Sequence, residues 1–287
     1  MPTPRFFIDA PTDAFQLGGR FELPPKTARH AGRSLRLAAG EIVELFNGTG
    51  AAWSGPVGFS DASAWVELEH RTDRTAESPL AITLLQSLVA PEKADWIVEK
   101  AVEAGISEIV FMPAERSVTK LAGERLEKRL ARLTDIARSA AEQCGRNVVP
   151  LVRAVPSLEA GFKTVSGGVK FVLAPGADAS AASSMLPGLL SVAFAVGPEG
   201  GFSAREIELA AAHGWGENRL SFWGRVFCAR KPQDWPRLFG LRHLSVIFLV
   251  PAEAHQEKRA PHSAADTLFF VSISADKSLA FSTAAVS

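Results

Sequence analysis

The residues with the clearest capacity for chemistry form a glycine-rich turn between a predicted strand and a predicted helix. The apolar run Val192–Val196 predicts a buried strand, and Gly197-Pro-Glu-Gly-Gly201, here called the glycine loop, follows it directly. Ser203 and Glu206 have the spacing of a capping box, so a helix is expected to begin there. Open α/β sheets bind ligands at such strand ends, and glycine lets backbone approach a ligand closely. The glycine loop is therefore a candidate ligand site, and a plain turn is the alternative.

The amino-acid sequence of the glycine loop differs from the common phosphate-binding motifs. It lacks the Lys-Ser/Thr pair of a Walker A motif and the G-x-G-x-x-G dinucleotide pattern. The run V-G-P-E-G-G-F-S instead resembles the cofactor loop of SPOUT-superfamily RNA methyltransferases, in particular the family that methylates N3 of a uridine in 16S ribosomal RNA of the small subunit. Further segments carry the resemblance in the same order: Arg5-Phe-Phe7, His30–Arg36, Phe46–Gly50, Lys93–Gly105, Pro113–Val118 and Ala141–Arg146.

The resemblance implies the fold, the cofactor and the partners. The family joins an N-terminal PUA-like β-barrel that binds RNA to a SPOUT α/β domain with a parallel sheet and a trefoil knot. Its members are homodimers that use S-adenosylmethionine and act on 16S ribosomal RNA or the small ribosomal subunit. Carried onto this sequence, the cofactor-binding residues are Leu173, Ala174, Pro175, Gly176, Val196, Gly197, Pro198, Glu199, Gly200 and Gly201.

Three polar residues at the end of a long predicted helix are the candidate catalytic group. Methyl transfer to uridine N3 needs a nitrogen that loses its proton and is held in line with the methyl group. Glu142 suits an acid–base role, Gln143 could bind the pyrimidine edge, and Arg146 could stabilise the developing anion. The alternative is a surface ion pair between Glu142 and Arg146, four residues apart on a helix.

A basic run supplies the candidate RNA-binding surface. The chain has 31 basic and 31 acidic residues, so any nucleic-acid surface must be a local patch. From Lys26 to Arg36, here called the basic segment, there is no acidic residue. A solvated helix face is the alternative, and for Arg116 a plain turn. The predicted RNA-binding residues are Arg5, Lys26, Arg29, His30, Arg33, Arg36 and Arg116.

Pattern and composition predict an α/β protein with two domains. Short strand-like runs fill residues 1–72, a polar linker covers 73–79, and strands alternate with helices over 80–221. Two cysteines, Cys144 and Cys228, fit a reducing cytoplasm, and no secretory signal or membrane span is expected. Scattered histidines give no metal-ligand spacing, so no metal is expected.

The family pattern stops after Ser221. Where the family continues with L-G-x-R-I-L-R-T-E-T-A, this chain reads Phe222-Trp-Gly-Arg-Val-Phe-Cys-Ala-Arg-Lys-Pro. Back-translation in the frame displaced by one base fixes both leucines and the glycine of that pattern, fixes a Leu-Ala pair one residue beyond it, and allows the residues between these points. We therefore predict a one-base change of reading frame near Phe222, which makes 222–287 an out-of-frame, poorly packed tail. A genuine extension is the alternative.

The predicted frame change affects function directly. In the family the lost segment forms a wall of the cofactor pocket, passes through the knot and supplies the dimer-interface helix, so we expect weakened cofactor binding, a disrupted knot and an uncertain homodimer. The sequence thus predicts a ribosomal RNA (uridine-N3) methyltransferase by family. Two alternatives stay open: an inactive remnant that only binds RNA, and another nucleotide-binding α/β enzyme that uses the glycine loop.

Overall fold

A computed structural model describes residues 3–61, 63–73, 77, 80–119, 122–173, 190–216, 244–246, 267–273 and 279–285. The chain divides into two compact units. The first consists of Met1–Glu77 with Arg138–Val149, and the second of Ser78–Ala137 with Pro150–Ser287.

The first unit contains a six-stranded sheet. Its strands are β1 (Arg5–Phe7), β2 (Arg20–Glu22), β3 (Ile42–Phe46), β4 (Ala52–Phe59), β5 (Ala64–Glu67) and β6 (His70–Thr72). The order is β1-β3-β4-β5-β2, and β6 pairs with β4. A hairpin turn joins β3 and β4, which pair in antiparallel fashion with Phe46 opposite Ala52. Gly48 and Gly50 in this turn have φ of 84° and 109°, which explains why glycine is found there.

Alternation along the strands builds the core of the first unit. In β3, Val43 and Leu45 are fully buried, and in β4, Trp53 and Val57 are each 1% exposed. Phe15 stacks on Trp53 with ring centroids 4.2 Å apart. Residues two apart on a strand face the same side, so these side chains share one apolar face and hold the sheet together.

The basic segment is helical. It contains α1 (Pro25–Arg29) and continues without a break as one π-helical turn, His30–Ser34. Ala31 is fully buried, and Ala28 packs against the core of the first unit. The apolar face is thus turned inward, which leaves the cations on the opposite face.

The second unit is built on a five-stranded parallel sheet. Its strands are β7 (Ala81–Ser87), β8 (Glu108–Met112), β9 (Leu151–Ala154), β10 (Val169–Leu173) and β11 (Ser191–Val196), in the order β10-β11-β7-β8-β9. The helices are α2 (Pro91–Glu103), α3 (Gly123–Cys144), α4 (Leu158–Thr164) and α5 (Ala204–Ala212), and the last residues of α3, from Arg138, belong to the first unit. β11 and β7 are neighbours although they are distant in sequence, so the carboxyl ends of both strands lie at the same edge of the sheet, where open parallel sheets bind ligands.

Apolar side chains from strands and helices meet on one side of this sheet. Leu85, Val110 and Ala195 contribute from the strands, and Phe162 of α4 packs among them. Trp215 follows α5, is 2% exposed, and donates from Nε1 to the carbonyl oxygen of Phe162 at 3.2 Å. The indole thereby buries its ring and satisfies its one polar atom.

The predicted elements of residues 1–221 are largely confirmed. β11 begins one residue before the predicted strand Val192–Val196, and α5 begins directly after the predicted cap, Ser203. The elements that were not predicted include β6, β9 and α4. The signal for α4 was present, because Ser157 caps it by accepting from the amide of Ala160 at 3.0 Å.

Beyond residue 221 the described residues form three strands, β12 (Leu244–Val246), β13 (Thr267–Ile273) and β14 (Leu279–Ala285). They make an antiparallel sheet in that order. The rest of the predicted out-of-frame tail lies outside the described residues. Among the residues that are described, the helices are all too short or too polar to cross a membrane. Within the same residues, His, Cys, Asp and Glu side chains form no group that could hold a metal ion.

Candidate functional site

The helix that follows the glycine loop begins as predicted. Ser203 is the N-cap of α5, and its Oγ accepts from the amide of Glu206 at 3.3 Å. Oε2 of Glu206 accepts in return from the amide of Ser203 at 2.8 Å, which completes the capping box. Gly214, which follows the C-cap His213, has φ of 74°, the left-handed conformation that commonly ends a helix. The glycine loop is therefore fixed at one end by a strand and at the other by a capped helix.

Two glycines of the loop are required by its own backbone. The amide of Gly201 donates to the carbonyl of Pro198 at 2.8 Å, and Gly201 has φ of 67°, a region that favours glycine. A Cβ on Gly197 would lie 3.0 Å from the nitrogen of Phe202 and 3.1 Å from the carbonyl carbon of Gly201. Because these atoms are backbone, they cannot move aside without opening the loop.

Arg116, from the segment after β8, lies against Gly200, the remaining glycine of the loop. Its Nη1 donates to the carbonyl of Gly200 at 2.8 Å. A Cβ on Gly200 would lie 3.3 Å from Cδ and 3.4 Å from Cβ of Arg116. The aliphatic stem of the arginine thus packs on the space that a larger residue at position 200 would fill.

Glu199 joins the glycine loop to the start of α2. Its Oε1 lies 3.4 Å from Nζ of Lys93 and accepts a long hydrogen bond, 3.5 Å, from the amide of Ala90. Partial burial acts to raise the pKa of Glu199, but backbone amides and the charge of Lys93 outweigh it and hold the pKa below its ordinary value. The carboxylate therefore stays ionised beside the first turn of α2, where a negative charge is favoured.

Glu206 connects α5 to the segment after β8. Besides its bond to Ser203, its Oε1 accepts from the amide of Glu115 at 2.7 Å. The residue is 7% exposed, so both oxygens of a buried carboxylate are used on backbone donors. The sequence pattern identified Glu206 only as the partner of Ser203. Its contact with Glu115, 91 positions away, had no sequence signal.

The strand-end segments after β7, β8 and β11 are therefore linked by side chains. Leu173 at the end of β10 lies in register with Val196 at the end of β11, so these two predicted cofactor residues are neighbours. Pro198 is buried, whereas Glu199 and Gly200 are exposed. The other predicted cofactor residues, Ala174, Pro175 and Gly176, lie outside the described residues.

The candidate base, Glu142, belongs to the first unit. Its Oε1 accepts from the amide of Phe7 at 2.7 Å, and its side chain is partly buried. Burial raises the pKa of Glu142 above its ordinary value of 4.5. The hydrogen bond from Phe7 and the positive charges of His30, Lys26 and Arg5 lower it, but burial prevails. Three predicted RNA-binding residues are thus electrostatically coupled to the predicted catalytic carboxylate.

The other two candidate catalytic residues differ sharply in exposure. Gln143 is exposed, whereas Arg146 is 2% exposed. Arg146 donates from Nη2 at 2.6 Å and from Nε at 3.0 Å to Oε2 of Glu77. Glu77 also accepts from the amide of Val148 at 3.3 Å. Glu77 lies in the predicted linker and was not identified from the sequence.

The predicted RNA-binding residues fall into two groups. Arg5 is held in the first unit: it pairs with Glu44 and donates to Oδ1 of Asn147 at 2.6 Å. In contrast, five cations of the basic segment are exposed: Lys26, Arg29, His30, Arg33 and Arg36. Positions 26, 29, 30 and 33 repeat at helical spacing, so they form one cationic face. Arg116 belongs to the second unit, where its side chain contacts the glycine loop.

These features first define a class of protein: a β-rich unit with an exposed cationic helix, followed by an α/β domain with a glycine loop at the carboxyl end of a strand of its parallel sheet. Comparison with known families then specifies it. The RNA methyltransferase domain matches residues 76–221, and the RNA methyltransferase PUA domain matches residues 23–57. Because the first match covers half of the chain, the chain belongs to the RNA methyltransferase family.

Individual relatives agree with this family. The chain is 33% identical over 145 residues to the ribosomal RNA small subunit methyltransferase E of Bacillus subtilis, which covers 48% of this chain and 57% of that protein. A methyltransferase from Legionella pneumophila in complex with bound SAM is similar in structure, with a TM-score of 0.70 and 29% identity over 80% of this chain and 93% of that one. The ribosomal RNA small subunit methyltransferase E of Neisseria gonorrhoeae bound to S-adenosyl methionine gives a TM-score of 0.68 and 28% identity, over 79% and 92%.

The likenesses confirm the predicted fold class, an α/β protein with a PUA-like N-terminal part. The chain spans less than two thirds of the length of the first curated relatives that it matches.

Proposed function

We propose that this chain is, by family, an S-adenosylmethionine-dependent methyltransferase that modifies N3 of a uridine in 16S ribosomal RNA. The observation that carries the proposal is the glycine loop, which follows the carboxyl end of β11 in a parallel sheet and leads into a capped helix. Relatives of the chain are named as small-subunit ribosomal RNA methyltransferases, and two structures similar to it contain SAM.

The residues of this edge fit the proposed cofactor. When bound, S-adenosylmethionine supplies a methyl group on a cationic sulfonium. Val196, Gly197–Gly201 and Leu173 would hold it, and at Gly201 the position that a Cβ would take has no other atom within 4 Å. The carbonyl of Gly200 is held by Arg116, so the backbone of the loop has a fixed direction before any ligand binds.

Glu142 is the proposed base at uridine N3. A raised pKa makes its carboxylate a better proton acceptor than an ordinary glutamate. Gln143 is exposed and free to bind a pyrimidine edge, while the buried pair of Arg146 with Glu77 gives Arg146 a role in shaping the end of α3. The exposed cations of the basic segment would hold phosphates of the RNA.

A second function, RNA binding without catalysis, is favoured by a different observation. The family match ends at residue 221, the position after which the sequence predicts a change of reading frame. The proposed loss affects the cofactor pocket, the knot and the homodimer, whereas the cationic face lies far upstream in the sequence. Action on the small ribosomal subunit in the cytoplasm fits either function.

Two measurements separate these functions. Titration calorimetry with S-adenosylmethionine should show binding if the methyltransferase is functional. Small subunits or 16S RNA lacking the modification should then gain 3-methyluridine when incubated with the protein and cofactor. RNA affinity without cofactor binding would instead support the binding module, and absence of both would refute the proposal for this chain.

A further inference from the structure

Arg116 connects two loops of the second unit through a single side chain. It was predicted to contact RNA, but its guanidinium donates to the carbonyl of Gly200 at 2.8 Å. The two residues are 84 positions apart and join the segment after β8 to the glycine loop. β7 lies between β8 and β11 in the sheet, so this side chain links loops from strands that are not neighbours.

The packing at Gly200 leaves little space for a side chain. An added Cβ would meet the side-chain atoms of Arg116, Cδ at 3.3 Å and Cβ at 3.4 Å, before any other atom. At Gly197, by contrast, the atoms in the way belong to the loop backbone. The space beside Gly200 is thus occupied by the arginine stem, and a methyl group would push that stem away.

We infer that Arg116 is a positioning residue of the glycine loop, and that Gly200 is glycine so that Arg116 can pack on it. The inference rests on the proposed function for its consequence in catalysis, but the contact itself is independent of any ligand. Arg116 fixes the direction of the Gly200 carbonyl, and with it the peptide that joins Gly200 to Gly201. A loop fixed in this way loses less conformational entropy when a ligand binds.

A second contact strengthens the link at the same place. The amide of Glu115, the residue before Arg116, donates to the buried carboxylate of Glu206 in α5. Both ends of the segment that leads from the glycine loop into α5 are therefore attached to the same two residues after β8. This anchoring holds the backbone of Arg116 while its side chain reaches Gly200.

A double-mutant cycle tests the inference in the full chain. The variants are Arg116→Ala, Gly200→Ala and the double variant, with Arg116→Lys as the conservative change. The first readout is hydrogen exchange of the amides of residues 200–203, because it requires no ligand. Arg116→Ala should speed exchange by roughly three- to tenfold, the net effect of one hydrogen bond. Gly200→Ala should speed exchange in the native background and have a smaller effect once Arg116 is alanine, because Cδ at 3.3 Å is then absent and only Cβ at 3.4 Å remains.

The second readout is ligand binding. The affinity for S-adenosylmethionine should fall for both single variants and recover partly in Arg116→Lys, which keeps a donor but loses the planar geometry. RNA affinity should keep its salt dependence in Arg116→Ala. As a matched control, Arg125→Ala removes another exposed arginine of the second unit and should leave the exchange of residues 200–203 unchanged.

Two results would overturn the inference. One is an equal effect of Gly200→Ala with and without Arg116, which would mean that another neighbour requires the glycine. The other is a salt slope of RNA binding lowered by about 0.7–0.9 in Arg116→Ala with unchanged exchange, which would make Arg116 a phosphate contact. If the native protein fails to bind S-adenosylmethionine, the proposed function fails, while the exchange cycle still decides the role of Arg116.

Discussion

Replacing Glu206 by glutamine should loosen the connection between α5 and the segment after β8. The carboxylate is 7% exposed and accepts two backbone hydrogen bonds, from Glu115 at 2.7 Å and from Ser203 at 2.8 Å. Glutamine has the same shape, but its amide group can accept only one of them and turns an N–H toward the other donor. Hydrogen bonds to charged groups contribute about 1.5–3 kcal/mol each. The expected loss is therefore about 2 kcal/mol.

The loss should be measurable at one amide. In Glu206→Gln, hydrogen exchange at Glu115 or at Ser203 should become roughly 10- to 100-fold faster, since 1.4 kcal/mol corresponds to a factor of about ten. Urea unfolding of the same variant should show a lower midpoint with an unchanged slope. Glu208, two residues further along α5, is exposed, so Glu208→Gln is the matched control and should change stability by less than about 0.5 kcal/mol. Unchanged exchange at both amides would refute this account of Glu206.

Three further predictions concern the candidate site. Glu142→Gln should remove the pH dependence that the carboxyl group of Glu142 contributes to the free energy of unfolding. Because the native pKa of Glu142 is raised, this contribution falls as pH rises from 4.5 through the native pKa. Identical pH profiles of the two proteins in urea titrations would contradict this account. Gly197→Ala should weaken binding of S-adenosylmethionine about tenfold or more, since forcing backbone apart costs about 1–3 kcal/mol, and undiminished affinity in calorimetry would show that the loop tolerates a Cβ. The double variant Arg33→Ala, Arg36→Ala should bind RNA with a smaller slope of log affinity against log salt concentration, lower by about 0.7–0.9 for each phosphate that is no longer neutralised. The same slope as the native protein would show that the basic segment does not contact RNA phosphates.

The local features of the glycine loop could be predicted because they depend on residues close in sequence. Ser203 and Glu206 are three positions apart, and Gly214 follows the last apolar position of α5, so a capped start and a left-handed end were both visible. The bounds of α3 follow in the same way from Gly123 and from Gly145, whose φ is 85°. Such signals report backbone requirements of single residues or of one helical turn.

The contacts that shape the candidate site could not be predicted, because they join residues distant in sequence. Glu77 and Arg146 are 69 positions apart, and a lone glutamate in a polar segment carries no pattern that points to a buried arginine. Arg116 had the right charge for a phosphate contact, and the sequence contains nothing that distinguishes such a contact from a bond to Gly200. Short elements such as β9, with four residues, are too brief for periodicity to identify.

The position of Trp215 shows which part of the fold is encoded before the predicted change of reading frame. With Trp215 packed against Phe162 and Gly216 bridged to Phe171 of β10, the five-stranded sheet receives its last described contacts before codon 222. A ribosome that changed frame at that codon would already have made every strand of the sheet. A change of frame at that point would thus leave every residue of the described hydrophobic core unaltered.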